Sequence, residues 1–585
     1  MTTASSVAGR GWMEREGRFL DVCLASVVLV AAFAPMARLL WGSLVRAGVP
    51  DLSAALENLT SRAALTATLN TIDVGVLSAF GATVLGAIVA LALAATDIRA
   101  KRAIAVLFVG SLLVAPQVMA LAFKTMMGPS SPLLDLLGLA PSPGMPNPML
   151  GKWGIIAVLT LHHAPLAAVA LAGGLRAIPQ SLIDAAHIDG ASPWRTMKSV
   201  VLPLLRPHFI AAGLLTFVAG AGNFGIPALL GVQANYLTLP TLIYRQLSSF
   251  GPSVLPDVAG LSVLAGGVAA SGILLAALLR ARTPSTVQIE HRFSPFWPLA
   301  QWRPLVEAAV LVLIVVAVVL PALSLIATAV VPALGVKLTL DTVTLAKFRE
   351  VLTVQDITAR AFRNSFLFAG VAAVIVALLG MLIAYALERR VQRGKAVATL
   401  LIQLPYAVPG VVLSIACILL LLRPLPLLGV SLYGTGWIIL FAYVARFLAV
   451  ALEPIRAAMA LLERDQEEAA ALCGASLTER LRYIIVPALL PSMAAAALLV
   501  FLMAFNELTV SALLWSAGTE TLGVALLSLE DAGLGGEAAA VAVMTALFVA
   551  LIIAGLDRLA PRLPEGALPW VMLAGGRTLD SSARS

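Results

Sequence analysis

The sequence predicts an all-α polytopic membrane protein made of two tandem six-helix domains, and three observations carry that prediction. Hydrophobic residues make up 60% of the 585-residue chain and charged residues only 12%, against about 25% charged in soluble domains. Twelve apolar runs are long enough for the roughly 20 residues that span a bilayer. The runs form two sets of six whose landmarks repeat, as an internal duplication would produce.

The predicted membrane helices divide equally between the two halves of the chain. They are Phe19–Leu40, Ile72–Ala95, Ala103–Phe123, Gly154–Leu175, His208–Phe224 and Val258–Leu279, then Leu305–Ala329, Ser365–Leu387, Val397–Leu422, Trp437–Ala457, Met493–Thr509 and Ala538–Gly555. The first run is too long for a signal-peptide core, so we expect an uncleaved helix there. We place the domains at residues 1–280 and 305–585, joined by a polar, proline-bearing linker at 281–304.

Matching residues open or interrupt matching helices in the two halves. Asn70 is matched by Asn364, Ala115-Pro116 by Val408-Pro409, and Trp153 by Trp437, at offsets of 284 to 294 residues. Such similar offsets indicate a duplication rather than shared composition. Because each half has six helices, both copies share one orientation, as in parallel repeats related by a pseudo-two-fold axis along the membrane normal.

Two polar segments, residues 184–203 and 467–487, follow one pattern of an acidic residue, two alanines, a glycine and a later proline. The pattern residues are Asp184, Ala185, Ala186, Gly190, Val200 and Pro203 in the first copy, and Glu468, Ala469, Ala470, Gly474, Ile484 and Pro487 in the second. The pattern predicts a short helix, a turn at the glycine and a second short helix ended by the proline. We expect the acidic residue to stabilise the first helix at its N-terminus.

Lysine and arginine place both polar segments on the cytoplasmic side. With a cytoplasmic N-terminus, the inside segments hold Arg10, Arg15 and Arg18, the cluster 99–102 and the cluster 389–395, as the positive-inside rule requires. The loop at 337–363 carries five basic residues on the opposite side and is the exception. The net charge of +8 then reflects loops that face anionic lipid rather than a nucleic-acid partner.

The spacing of the two segments, EAA, three residues, G, nine residues, I, any residue, LP, resembles the cytoplasmic signature of permease subunits of binding-protein-dependent ABC importers. Its presence twice resembles the fused permeases, in which two type I permease domains lie in one chain. The resemblance covers almost all of residues 19–560 and departs from the pattern at Asp184, Val200 and Val486. It implies a multi-pass protein of the bacterial inner membrane.

The resemblance also implies partners and contact residues. In that family the signature loop forms a coupling helix that docks on an ATPase subunit, and an extracytoplasmic binding protein delivers the substrate. The residues implied to contact the ATPase are Asp184, Ala185, Ala186, Gly190 and Pro203, with Glu468, Ala469, Ala470, Gly474 and Pro487. We expect transport by alternating access, driven by a dimer of the ATPase.

The sequence lacks the motifs that a catalytic subunit would need. No G-x-x-x-x-G-K-[ST] phosphate loop occurs, so we expect a transport subunit that does not itself hydrolyse ATP. Cys23, Cys417 and Cys473 do not have the spacing of a disulfide framework or a metal site. We expect no cofactor and no bound metal.

Evidence for the substrate comes from two short segments. Residues 222–231 and 506–533 resemble the corresponding parts of fused iron(III) permeases more than those of thiamine or aminoethylphosphonate permeases. Ionisable and polar residues at membrane depth are candidates to line a path. Here they are His162, His163, Asn223, Arg446, Asn506 and Glu507. The alternatives are hydrogen bonds from the histidines to neighbouring helices and an interfacial position for Asn506 and Glu507.

Other functions fit parts of the sequence. Thiamine, aminoethylphosphonate or another small solute is the alternative substrate. A secondary transporter driven by an ion gradient could also have two parallel six-helix halves, but it gives no reason for duplicated Ala-Ala-x-x-x-Gly segments. A membrane-embedded enzyme would need a clustered nucleophile, base or metal set, which the sequence does not show.

Overall fold

The computed structural model describes residues 20–46, 49–142, 144–249, 253–281, 295–391, 394–424, 429–559 and 568–573. The basic head with Arg10, Arg15 and Arg18 lies outside the described residues. So does most of the predicted linker at 281–304.

The first half of the chain is helical, apart from one short antiparallel pair of strands. Its elements are α1 Leu20–Leu44, β1 Val45–Arg46, β2 Val49–Pro50, α2 Leu52–Leu59, α3 Arg62–Ala95, α4 Lys101–Leu113, α5 Pro116–Met127, α6 Pro132–Leu136, α7 Lys152–Arg176, α8 Gln180–Ile188, α9 Pro193–Ala221, α10 Gly225–Ala234, α11 Leu239–Leu247 and α12 Val254–Ala281.

The second half repeats this order of long and short helices. Its elements are α13 Ala300–Ala329, α14 Ala346–Arg349, α15 Asp356–Arg390, α16 Lys395–Ala407, α17 Gly410–Leu421, α18 Gly436–Leu461, α19 Asp465–Leu472, α20 Leu477–Phe505, α21 Ser511–Leu514, α22 Leu522–Asp531, α23 Gly535–Leu559 and α24 Pro569–Leu573.

Ten of the described helices are long and apolar enough to cross a membrane as single helices. They overlap ten of the twelve predicted spans, although α9 and α20 begin well before the predicted His208–Phe224 and Met493–Thr509. The other two predicted spans are each broken, by 103° between α4 and α5 and by 105° between α16 and α17. The residue before proline is driven to extended backbone, and Ala115 and Val408 have ψ values of 138° and 151°. A third bent pair, α10 and α11 at 76°, was not predicted as a span.

One compact unit comprises residues 1–55, 250–263 and 362–521. Within it α1 packs along α16 and α17, and α18 packs against α20. The side chains of Val411, Ile415 and Tyr443 are fully buried in this packing. Asn364 Nδ2 donates to the carbonyl oxygens of Gly518 and Glu520, at 3.0 Å each, and so holds the loop before α22.

The other compact unit comprises residues 56–249, 264–361 and 522–585. Its α3, α7 and α9 pack on one another, and α13 packs against α5 and α23. A Cβ on Gly86 would lie 2.6 Å from the Ala164 carbonyl oxygen, which shows how closely the backbones of α3 and α7 approach. Small residues permit such contact between membrane helices. On α5, Lys124 forms a part-buried ion pair with Glu530 of α22.

Each compact unit takes residues from both halves of the sequence. These units and the predicted domains therefore group the residues differently. The domain boundaries at 1–280 and 305–585 remain predictions.

Candidate functional site: two matched turns

The two polar segments fold into the same local structure, which we call element A (residues 180–203) and element B (residues 464–487). Each begins with a short helix, α8 in element A and α19 in element B. The second residue after each helix is a glycine with positive φ, 75° at Gly190 and 86° at Gly474. Glycine adopts this conformation at little cost.

The backbone hydrogen bonds of the two turns match position by position. Ala191 N donates to Ala186 O at 2.9 Å, and Ala475 N donates to Ala470 O at 3.0 Å. This bond across five residues is the mark of a Schellman C-cap, which satisfies carbonyl groups at the helix end. The predicted turn at each glycine is therefore confirmed in both elements.

A serine starts the next helix in both elements. Ser192 Oγ accepts the N–H of Arg195 at 3.3 Å, and Ser476 Oγ accepts the N–H of Glu479 at 3.3 Å. Serine is a favoured N-cap because its oxygen pairs with a free N–H of the first turn. The sequence analysis did not identify these caps, although the serine follows each glycine by two residues.

The prediction that a proline ends the second short helix is wrong. Pro203 and Pro487 lie inside α9 and α20, which continue as long apolar helices. A π-helical turn stands before each proline, at Met197–Val201 and at Leu481–Ile485. Proline has no N–H to donate to the carbonyl four residues earlier, and its ring clashes with that carbonyl. In a π turn the backbone hydrogen bonds reach the fifth preceding residue instead of the fourth. The proline therefore disturbs the helix little at this place.

The predicted N-terminal role of the acidic residue is wrong for Asp184. The helix α8 begins at Gln180, four residues earlier, so Asp184 lies beyond its first turn. Its carboxylate accepts a hydrogen bond from Gln180 Nε2 at 3.1 Å instead. Glu468 does lie in the first turn of α19, where a negative charge interacts favourably with the helix dipole.

Both elements present a similar surface. Asp184, Ala185, Glu468 and Ala469 are exposed, while the second alanine of each pair is half-buried. Large apolar side chains also project from the ends of α8 and α19, where Ile188 is 86% and Leu472 is 90% exposed. Exposed apolar side chains clustered with small residues are a feature of protein contact surfaces.

One acidic residue of element B was not singled out by the sequence analysis. Glu467 stands beside Glu468 but is buried, and its counterpart in element A is the fully buried Ile183. Aligning the two copies would have shown that this position faces inward, because an apolar residue occupies it in one of them.

Element A is held by the segment that precedes α13. Phe296 N and Trp297 N donate to Ala95 O at 3.1 and 2.9 Å, and the rings of Trp297 and Trp194 lie 6.0 Å apart. Leu299 N donates to Asp97 Oδ1 at 2.9 Å. That hydrogen bond, helped by nearby Arg303 and Lys101, lowers the pKa of the Asp97 carboxyl.

Two of the candidate path residues accept matching backbone hydrogen bonds in the turns that lead into α10 and α21. Asn223 Oδ1 accepts the N–H of Ile226 at 3.1 Å, before α10. Glu507 Oε2 accepts the N–H of Val510 at 2.8 Å, before α21. Both bonds join the side chain of residue i to the backbone N–H of residue i+3, so the same local hydrogen bond occurs in both halves.

The other candidate path residues lie within membrane helices or, for Asn506, directly after one. His162 and His163 are buried in α7 with their rings 5.1 Å apart. Arg446 of α18 lies over the Tyr406 ring at 5.9 Å, and Asn506 follows α20, where its Nδ2 donates to Leu502 O at 3.4 Å. Their assignment to a transport path remains a prediction.

The chain matches a known family over most of its length. The family described as the binding-protein-dependent transport system inner membrane component matches residues 5–284 and 378–564. A probable ABC transporter permease of Sinorhizobium fredii is 25% identical over 567 residues, which cover 94% of this chain and 96% of that protein.

Two further relatives carry substrate names. The ferric transport system permease protein of Actinobacillus pleuropneumoniae is 25% identical over 412 residues, covering 70% of this chain but only 58% of that protein. A putative 2-aminoethylphosphonate transport system permease protein of Salmonella paratyphi A is 31% identical over 194 residues, covering 33% of this chain and 72% of that protein. The duplicated turns, the long apolar helices and these matches show that the chain belongs to the binding-protein-dependent transport system inner membrane component family, as a multi-pass inner-membrane permease of an ABC importer.

Proposed function

We propose that this permease carries iron(III) delivered by an extracytoplasmic binding protein, and that a separate ATPase drives it by docking on elements A and B. The chain itself would catalyse no reaction. The observation that carries the docking role is the match between the two elements, in backbone turn, serine cap and exposed residues.

The exposed surface of each element suits a protein partner. Small side chains at Ala185 and Ala469 allow another backbone to come close. The projecting Ile188 and Leu472 would lose most of their water contact on docking, and burial of a side chain of this size stabilises a contact by about 1.5–3 kcal/mol. Asp184 and Glu468 add one negative charge to each surface.

The elements can pass a displacement into the membrane. The second helix of element A runs on into the membrane as α9, and the second helix of element B runs on as α20. A partner that moves either element therefore moves a membrane helix directly. This connection supports alternating access driven by ATP binding and hydrolysis in the partner.

Iron(III) is supported by the ferric transport relative, whose alignment covers 70% of this chain. The second candidate is 2-aminoethylphosphonate, supported by a relative of higher identity over a third of the chain.

The test is ATP-dependent uptake by the permease assembled with its ATPase and binding protein in proteoliposomes. Accumulation of radioactive ferric citrate without accumulation of labelled 2-aminoethylphosphonate is expected. The reverse pattern would replace iron by the phosphonate, and uptake driven by an ion gradient without ATP would refute the proposed energy source.

A further inference from the structure

A buried carboxylate lies beneath the exposed surface of element B. The Glu467 side chain is 9% exposed. Its Oε1 accepts hydrogen bonds from the Tyr385 hydroxyl and from Arg480 Nη1, the latter at 3.2 Å. Its Oε2 lies 3.8 Å from Arg389 Nε. Two hydrogen-bond donors and one further arginine charge thus converge on one carboxylate.

These side chains come from two membrane helices. Tyr385 and Arg389 lie at the end of α15, and Arg480 lies near the start of α20. Arg389 Nη2 also donates to Leu462 O at 2.5 Å, just before α19. Glu467 therefore connects α19 to α15 as well as to the helix that follows it.

Among the residues that the structure describes, Glu467 is the carboxylate that pairs with both arginines. The side chains of Arg389 and Arg480 are 9% and 13% exposed. Removing one partner of a buried ion pair leaves an uncompensated charge, which costs far more than the loss of a surface pair. The position of α19 should therefore be sensitive to the charge of Glu467.

Uncharged residues occupy the positions of element A and α3 that match this network. In the order Glu467, Arg480, Tyr385 and Arg389, the matching first-half residues are Ile183, Thr196, Leu91 and Ala95. Ile183 is fully buried. The Phe296 ring lies 6.3 Å from the His187 ring of α8. Element A thus depends on apolar and aromatic packing at the place where element B depends on an ionic network.

We propose that Glu467 is a positioning residue of element B, whose charge holds α19 on the end of α15. Force received on the exposed face of α19 would then reach α15 and α20 together. This inference rests on the proposed docking role of element B. Because the buried Ile183 stands at the matching position of element A, neutralising Glu467 should disturb element B and leave element A unchanged.

The first experiment compares Glu467→Gln with the matched neighbour Glu468→Gln by hydrogen exchange on the purified full-length permease. In Glu467→Gln, the amides of residues 465–472 should exchange about tenfold faster, because α19 loses its charged anchor. The amides of residues 180–188 should not change. Glu468→Gln removes only the interaction of an exposed charge with the helix dipole, so it should raise exchange at 465–472 much less than Glu467→Gln and leave 180–188 unchanged. Unchanged exchange at 465–472 in Glu467→Gln, or an equal rise in both regions, would overturn the proposal.

The second experiment uses the permease with its ATPase and binding protein in proteoliposomes. Glu467→Gln should retain the ATPase but transport several-fold less substrate per ATP hydrolysed, whereas Glu468→Gln should weaken capture of the ATPase. A wild-type transport ratio in Glu467→Gln would contradict the positioning role. If Glu468→Gln captures the ATPase normally, the docking role loses support, while hydrogen exchange still decides the role of Glu467.

Discussion

Substituting alanine for Gly190 or Gly474 should reduce transport far more than it reduces stability. Both glycines have positive φ, and no atom lies within 4 Å of the Cβ that alanine would add. The cost is therefore backbone strain, about 1–2 kcal/mol for a residue with a Cβ in the left-handed region. That strain favours another turn geometry by a factor of roughly 5–30, which would move the exposed helix face.

Gly394 provides a matched control, because its φ is 80° and the space around it is also open, but it lies outside both elements. Gly394→Ala should shift thermal unfolding as much as Gly474→Ala does, yet keep uptake and ATPase capture near the wild-type level. The assays are thermal unfolding, co-purification of the ATPase and ATP-driven uptake. Equal loss of uptake in all three variants, or normal uptake in Gly190→Ala and Gly474→Ala, would refute the reasoning.

Three other predictions concern packing and charge. Gly86→Ala should lower the yield of folded protein, because the added Cβ would clash with the α7 backbone. Gly173→Ala should be tolerated, because the space around this glycine is open. The measurements are the yield of detergent-solubilised protein and its thermal unfolding. Lys124→Met should destabilise the protein by about 1–3 kcal/mol, because the part-buried carboxylate of Glu530 loses its charged hydrogen-bond partner. Lys337→Met, whose lysine side chain is 78% exposed, should change stability by at most about 1 kcal/mol. A similar effect of both substitutions would contradict the burial argument. Asp97 has a lowered pKa in the folded state, so its contribution to stability is present above the ordinary pKa of aspartate and is lost as the pH falls through the folded value. Asp97→Asn should therefore lower the unfolding temperature at pH 7, and this difference from the wild type should shrink as the pH falls below the ordinary pKa of aspartate.

Much of the fold could be predicted because membrane helices are encoded by length and apolar composition. The ten continuous spans coincide with predicted runs. The two broken spans were predicted as single helices, because composition does not reveal a bend. The cause was nevertheless visible in the sequence, since Pro116 and Pro409 each follow a residue that proline forces out of helical geometry.

The turns of the candidate site could be predicted because a glycine after a short helix has a specific backbone role. The course of the chain through Pro203 and Pro487 could not, because a π turn depends on local hydrogen bonding rather than on a residue pattern. Glu467 and Glu468 are adjacent acidic residues of opposite burial. Only the packing of α19, or comparison with Ile183, separates their roles.

A native cysteine allows the docking of an ATPase on element B to be measured without changing the sequence. Cys473 is exposed and precedes Gly474, whereas Cys23 is exposed outside both elements and Cys417 is buried. The measurement is the rate at which a maleimide labels each cysteine in the purified permease, with and without the bound ATPase. Slow labelling of Cys473 only when the ATPase is bound, with unchanged labelling of Cys23, is the predicted result. Equal labelling of Cys473 in the free permease and in the complex would contradict docking on element B.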